Sequence, residues 1–424
     1  MKIGILTQPL RANYGGILQC WALRQTLSRM GHDVWLVRRE KRDGSHRLSL
    51  WLRRQVANTL KPLYGKVPVR WIYRHEEIDL FRELRRFTWL YVQPQTRPLC
   101  TSGALLKDYE TRRYDAYIVG SDQIWRPSYI DGLTDYFLGF LPSDAPVRRV
   151  AYGASFGTDE WEYGETLTRT CRQLAARFDA LSVRERGGVA LCRDRLGVDA
   201  RWVLAPTMLL TPADYEELAD DEAGRIFRTY RSGQEGAEMR PKDFVTQIFY
   251  DREPLSASVG NAVRGRLFGY LLDRTPACRT LGIEVARRLG CSFFSAMARA
   301  EGNVPLHTPL TDLYHPPVSA WLYAYQDADY VLTDSFHGCV FSILFNRPFV
   351  TWGNSSRGQA RFASLLSVFG LEDRMVERCD AGEIARRMCQ PIDWERVNLV
   401  LRRARQESLD FLTEALGTVE NFPH

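Results

Sequence analysis

The segment Thr333-Asp334-Ser335-Phe336-His337-Gly338 carries the strongest chemical signal in the sequence. It follows Tyr330-Val331-Leu332, which suits a buried strand, and precedes Cys339–Phe345, which suits a buried helix. His337 is thereby placed at a helix N-terminus, just past the end of a strand. The helix dipole there disfavours an imidazolium, whereas a bound anion favours it. Such a ring can take up a proton when an anionic substrate arrives and then donate it. A capping or core histidine is the other reading of the same residues.

Four further segments stand where apolar runs end. Asn13-Tyr14-Gly15-Gly16 lies between the strand Lys2–Leu6 and a helical pattern starting at Ile17. Its glycines let backbone approach a ligand closely, and the N–H groups at a helix start suit an anion. A tight turn that needs glycine fits equally well, and the segment matches neither the dinucleotide fingerprint nor a P-loop. Gly120-Ser121-Asp122-Gln123 follows Tyr117-Ile118-Val119. Asp122 reads as a base for a substrate hydroxyl or as a helix N-cap, and spacing alone favours the cap. Arg184-Glu185-Arg186 follows Ala180–Val183 and offers two guanidinium forks for a carboxylate or phosphate. A surface salt-bridge cluster is the alternative there, and the strand-end position favours ligand binding. Arg357 and Arg361 come after the strand Phe349–Thr351, as anion ligands or as exposed charges.

The elements that must hold these groups alternate strand and helix. Lys2–Leu6, a helix with apolar Cys20, Leu23, Leu27 and Met30 on one face, and Val34–Val37 make a βαβ unit, hence a parallel sheet. More strands are expected at Tyr117–Val119, Val150–Tyr152, Ala180–Val183 and Trp202–Leu204. After a polar, weakly periodic stretch the pattern restarts with strands at Leu267–Leu272, Cys291–Phe294, Tyr330–Leu332 and Phe349–Thr351. The expected fold class is α/β, with two Rossmann-like domains facing a cleft. The boundaries are an N-terminal domain over 1–210, a connector or insertion over 211–262, a C-terminal domain over 263–392, and a helix packing back over 393–424. In open α/β sheets ligands sit beyond the carboxyl ends of strands, where all five segments fall.

With 424 residues, 45% hydrophobic and 25% charged, the chain is an ordinary globular one of two domains. No apolar run approaches the ~18 residues of a membrane span. The first residues read as a strand rather than a leader, so a cytoplasmic location is expected. The nine cysteines are scattered without Cys-x-x-Cys, and the seven histidines without His-x-x-x-His, so no metal site is expected. The net charge of +6 is uneven: residues 38–113 hold 18 Lys+Arg against 8 Asp+Glu, with Trp51, Trp71 and Trp89 among them. That stretch suits an anionic membrane face or nucleic acid, or is a solvated helical insertion with aromatic packing residues; the last is preferred.

Taken in order, these segments, with Ala154-Ser155-Phe156-Gly157 and Ser182-Val183-Arg184-Glu185, resemble the polysaccharide pyruvyl transferase family over most of the chain. The resemblance implies a GT-B-like fold with the basic helical insertion in an acceptor-side N-terminal domain and a donor-side C-terminal domain. It implies transfer of a pyruvyl group from phosphoenolpyruvate to sugar hydroxyls of a cell-surface polysaccharide or its lipid-linked precursor, giving a pyruvate ketal and no need for a cofactor. His337 is the family-like acid, and Asp122 or Asp334 the base. Arg184, Arg186, Arg357 and Arg361 are the anion clamps; Asn13, Tyr14, Gly15, Gly16, Ser121, Gln123, Arg126, Glu185, Ser335 and Gly338 complete the expected substrate-binding set. Expected partners are phosphoenolpyruvate, a sugar or lipid-linked glycan acceptor, and a peripheral contact with the inner membrane face. No nucleic acid is expected, and a homo-oligomer is compatible with the sequence. Where relatives often carry a polar residue, this chain has Ala205, Ala320 and Arg126. A nucleotide-sugar glycosyltransferase and a non-catalytic binding protein on the same scaffold are the alternatives.

Overall fold

The structure, a computed structural model, describes residues 1–11, 13–41, 55–56, 58–59, 61, 69–70, 74–220, 265–298, 304–306, 308–353 and 360–417. Arg357, most of the polar connector and much of the basic insertion, with Trp51 and Trp71, lie outside the described residues.

The strands are β1 (Lys2–Leu6), β2 (Asp33–Leu36), β3 (Val69–Arg70), β4 (Ala116–Asp122), β5 (Arg148–Ala154), β6 (Ala180–Val183) and β7 (Arg201–Trp202), then β8 (Arg266–Tyr270), β9 (Ser292–Phe294), β10 (Val304–Pro305), β11 (Tyr330–Thr333), β12 (Phe349–Trp352) and β13 (Met375–Val376). Six form a parallel sheet in the order β2-β1-β4-β5-β6-β7. Five form a second parallel sheet, β13-β12-β11-β8-β9. The fold is therefore α/β with two Rossmann-like lobes. Each sheet runs outward in both directions from a central pair, β1 with β4 in the first and β8 with β11 in the second. Those pairs are the topological switch points, where a crevice opens past the strand ends.

Parallel strands covered on both faces should be apolar throughout, and β4 is buried along its whole length. The helices used below are α1 (Tyr14–Arg29), α2 (Arg186–Leu191), α3 (Val318–Asp327), α4 (Phe336–Leu344), α5 (Ala360–Phe369) and α6 (Trp394–Leu416). The largest apolar core is shared by the lobes: Tyr14, Ile17 and Trp21 of α1 pack in one cluster with Trp321, Phe341 and Phe362. The 23-residue α6 adds a second tie. Its Val397 and Leu401 sit in that shared core, while Phe411 and Leu412 pack with β1 and β5 residues of the first lobe. The two lobes are thus tied through helices α1, α3, α4, α5 and α6.

Candidate active site

Helix α1 begins at Tyr14, ahead of the Ile17 start that the apolar spacing suggests, because Asn13 caps it by accepting the Gly16 N–H at 3.1 Å. Gly15 and Gly16 consequently lie inside its first turn instead of in a turn before it. The need for glycine at position 15 comes from the other lobe. A Cβ there would lie 2.1 Å from His337 Nδ1, so the missing side chain is what admits the imidazole. Tyr14 fixes this approach: its hydroxyl donates to the Pro316 carbonyl at 2.8 Å and its ring stacks on Trp321. Gly15→Ala is expected to displace the ring and to lower turnover by about a hundredfold, the scale of an ångström of misplacement. In a His337→Ala background the same change should cost nothing further, which steady-state kinetics of the four proteins would check.

At the end of β4, Gly120 adopts φ +127° and a Cβ there would lie 2.1 Å from the Tyr152 carbonyl oxygen, a place only glycine fills. Ser121 is spent on the backbone, donating to the Gly153 carbonyl at 2.9 Å. Asp122 ends the strand at φ +81° and does not cap a helix. Its Oδ1 accepts from its neighbour Gln123 N–H at 2.9 Å and from Arg184 Nη2 at 3.0 Å, both buried. Gln123 Oε1 accepts from Arg126, whose guanidinium also grips Glu162 at 3.2 and 3.3 Å.

The two arginines that flank Glu185 part company. The Arg184 side chain is wholly enclosed. It donates to Gln19 Oε1 at 3.2 Å and lies 4.8 Å above the Phe336 ring. Arg186 starts α2 with an exposed side chain, and its backbone N–H donates to Ser364. Glu185 is buried and accepts the Phe156 N–H at 2.8 Å. From the second lobe, Arg361 in α5 is buried with its guanidinium 5.6 Å from the same Phe336 ring.

Past β11, Asp334 accepts the backbone N–H groups of Leu272 and Asp273 with its two oxygens, at 2.6 and 2.8 Å. It staples the second switch point, since those residues follow β8. Ser335 is the buried N-cap residue of α4, and Gly338 sits where a Cβ would meet Thr333 Oγ1 at 2.0 Å. His337, in the first turn, turns into the seam towards α1.

The structure thus brings Gly15, Asp122, Arg184, Glu185, His337 and Arg361 to one buried seam. It leaves Arg186 at the surface, Asn13 and Tyr14 as fasteners, and Ser121 and Asp334 engaged with backbone. Gln19 and Phe336 belong to the seam but were not singled out from sequence. Gln19 lies one helical turn past Gly15, so the i, i+4 spacing was the signal that pointed to it.

Burial and charge set the titration of this cluster. Burial lowers the His337 pKa to about 3, Asp122 opposing and Arg184 and Arg361 adding to the fall. The ring is neutral at neutral pH. Burial would raise the Asp122 carboxyl, but Arg184, His337 and Arg361 together hold it below the ordinary carboxylate range. Burial raises Glu185, which Arg184 and Arg361 only partly offset. Arg361 falls to about 10 through burial and the nearby Arg184, and stays protonated. Two guanidiniums flank one aromatic ring with a neutral imidazole beside them, an arrangement able to contact an anion, and negative charge placed beside an imidazole raises its pKa. Among the described residues no cluster of His, Cys, Asp or Glu could hold a metal ion.

A family model described as polysaccharide pyruvyl transferase matches residues 13–356. No curated protein matches the sequence. Among solved structures, the chain is similar to Glycyrrhiza uralensis UGT73P12 complexed with glycyrrhetinic acid 3-O-monoglucuronide, at 10% identity and a TM-score of 0.51 over 98% of this chain and 95% of that one. It is also similar to the UDP-GlcNAc 2-epimerase from Neisseria meningitidis bound to UDP-GlcNAc, at 10% identity and a TM-score of 0.47 over 98% and 99%. The first of these likenesses is one of fold, the GT-B arrangement of facing lobes. The family match spans both lobes and every seam residue except Arg361, and the chain belongs to the polysaccharide pyruvyl transferase family.

Proposed function

We propose that the seam binds phosphoenolpyruvate and transfers its pyruvyl group to two hydroxyls of a sugar in a polysaccharide or its lipid-linked precursor, forming a ketal. One observation carries this reading. Gln19 Nε2, Arg184 Nε and His337 Nε2 are buried in this seam without a hydrogen-bond partner, Arg184 Nε facing Glu185 Oε2 only at 4.0 Å. Buried polar groups are rarely left so, and a cluster of them is what a polar ligand would satisfy. Phosphoenolpyruvate offers a carboxylate and a phosphate to Arg184 and Arg361.

The steps follow from the charges. The bound anion raises the His337 pKa, and the imidazolium donates its proton to the methylene carbon. The adjacent carbon becomes oxocarbenium-like, and a sugar hydroxyl oxygen attacks it. That hydroxyl's proton passes to Asp122, the seam carboxylate that Arg184 keeps ionised. The carbon–oxygen bond to phosphate breaks, phosphate leaves with the proton that Asp122 took up, and a second hydroxyl closes the ketal as its proton returns to the His337 imidazole. Asp334, with both oxygens on backbone N–H groups, holds the loop that carries His337.

Phosphate release from phosphoenolpyruvate across a panel of glycan acceptors tests the reaction. Acceptor-dependent release supports it, and thermal stabilisation by nucleotide sugars alone would overturn it. Donor binding should also take up close to one proton per site at a pH where the donor is fully ionised. Calorimetry in two buffers of different ionisation enthalpy would read this in the wild type, and His337→Gln should abolish it.

A further inference from the structure

We propose that the outward face of the helix Arg82–Tyr91 is a docking surface for an anionic phospholipid bilayer. The proposal does not depend on which reaction the seam catalyses.

The helix has two faces. Leu84 and Phe87 are buried in the core shared with α1, and Tyr91 packs against it. Arg82, Arg85, Arg86, Trp89 and Leu90 are exposed, at the i, i+3, i+4, i+7 spacing of one stripe. Trp89 is 68% exposed, the most exposed of the large apolar side chains described. Of the seven such exposed side chains among the described residues, Trp89 and Leu90 lie on this helix and Ile78 on the helix Arg74–Leu80 before it.

Charge selects the partner. Residues 38–113 hold 18 Lys+Arg against 8 Asp+Glu, an excess that attracts an anionic surface. On the helix itself Arg82 pairs with Asp79 at 2.8 Å and Arg86 with Glu83 at 3.6 Å. A nucleic-acid face would hold such arginines in reserve for phosphates. An exposed tryptophan and leucine beside arginines that are in part already paired instead suit the headgroup layer, where an amphipathic ring keeps its apolar body in lipid. No helix among the described residues is long and apolar enough to cross a membrane.

The patch is rigidly placed. Leu80 packs with Val304 and Leu313 of the second lobe, and its carbonyl accepts the His315 N–H at 3.0 Å. Leu84 and Phe87 of the helix itself pack in the core that both lobes share, next to α1, which bears Gly15. A bilayer held there would present lipid-borne groups on the side of the molecule from which α1 enters the seam.

Co-sedimentation of the full chain with vesicles tests this. In low salt the bound fraction on phosphatidylglycerol–phosphatidylcholine vesicles should exceed that on phosphatidylcholine alone at least about fivefold, and should fall as salt shortens the screening length. The surface pair Trp89→Ser with Leu90→Ser, and separately Arg85→Glu, should each lower it at least about threefold with an unchanged Tm. Equal binding to neutral vesicles, no binding, or wild-type binding by both variants would overturn the proposal. So would retention of single-stranded DNA that the same variants abolish while vesicle binding persists.

Discussion

Replacing His337 with alanine is expected to lower turnover at least about a hundredfold, the lower end of what a positioned general acid contributes. The loss should appear in kcat, and donor affinity should weaken with it, because the proton taken up on binding contributes to that affinity; in the free protein the ring is neutral, its pKa lowered to about 3 mainly by burial. Its charge exists only once the donor is bound. His337→Gln keeps most of the volume and should show the same kinetic loss, which separates lost chemistry from a lost contact. The stability consequence has a definite sign. A ring whose folded pKa lies below its unfolded value of about 6.5 makes the fold weaker as pH falls from about 6.5 towards 3, since the unfolded chain binds the proton first. Asp122, also held low, acts in the same direction at the acid end. Thermal melts at pH 7 and pH 4.5 should therefore converge for His337→Gln more than for the wild type. Near-wild-type turnover in both variants would remove His337 from the mechanism.

Arg184→Met is the second large effect. The guanidinium is wholly enclosed and 3.0 Å from the Asp122 carboxylate, so the change leaves a buried charge without its partner. Breaking such a pair from one side costs about 3–5 kcal/mol. Adding Asp122→Asn removes the stranded charge and should restore most of the Tm. Donor binding should not recover, because the lost fork is a charge-assisted contact worth about 1.5–3 kcal/mol, roughly tenfold or more in affinity. Restored stability with restored phosphoenolpyruvate binding would show that Arg184 only balances Asp122. The same logic applies less sharply to Arg361, which shares the Phe336 ring with Arg184.

Much of this was legible in the residues. Strand-to-helix switches at apolar runs place His337, Asp122 and Arg184 beyond carboxyl ends, because a parallel sheet buried on both faces leaves only those ends free for polar groups. What spacing cannot give is direction across the seam. Arg184 and Arg186 look equivalent in sequence, yet one is enclosed against Asp122 and Gln19 and the other starts α2 with its side chain exposed. Asp334 reads as a catalytic carboxylate until the β8–β11 pairing brings two backbone N–H groups to it from residues 61 and 62 positions away. Gly15 reads as a turn glycine, and its cause is a histidine from the other lobe. Each of these depends on a contact distant in sequence, which local patterns do not encode. The basic stretch showed its excess charge but not its faces, which only the packing of Leu84 and Phe87 defines.

A crystal structure of the wild-type protein with phosphoenolpyruvate would locate the donor directly. Its carboxylate and phosphate are expected on the guanidiniums of Arg184 and Arg361, with His337 Nε2 within about 3.5 Å of the methylene carbon, a near-attack distance. A donor bound clear of both arginines, or one whose methylene carbon faces away from the imidazole, would contradict it.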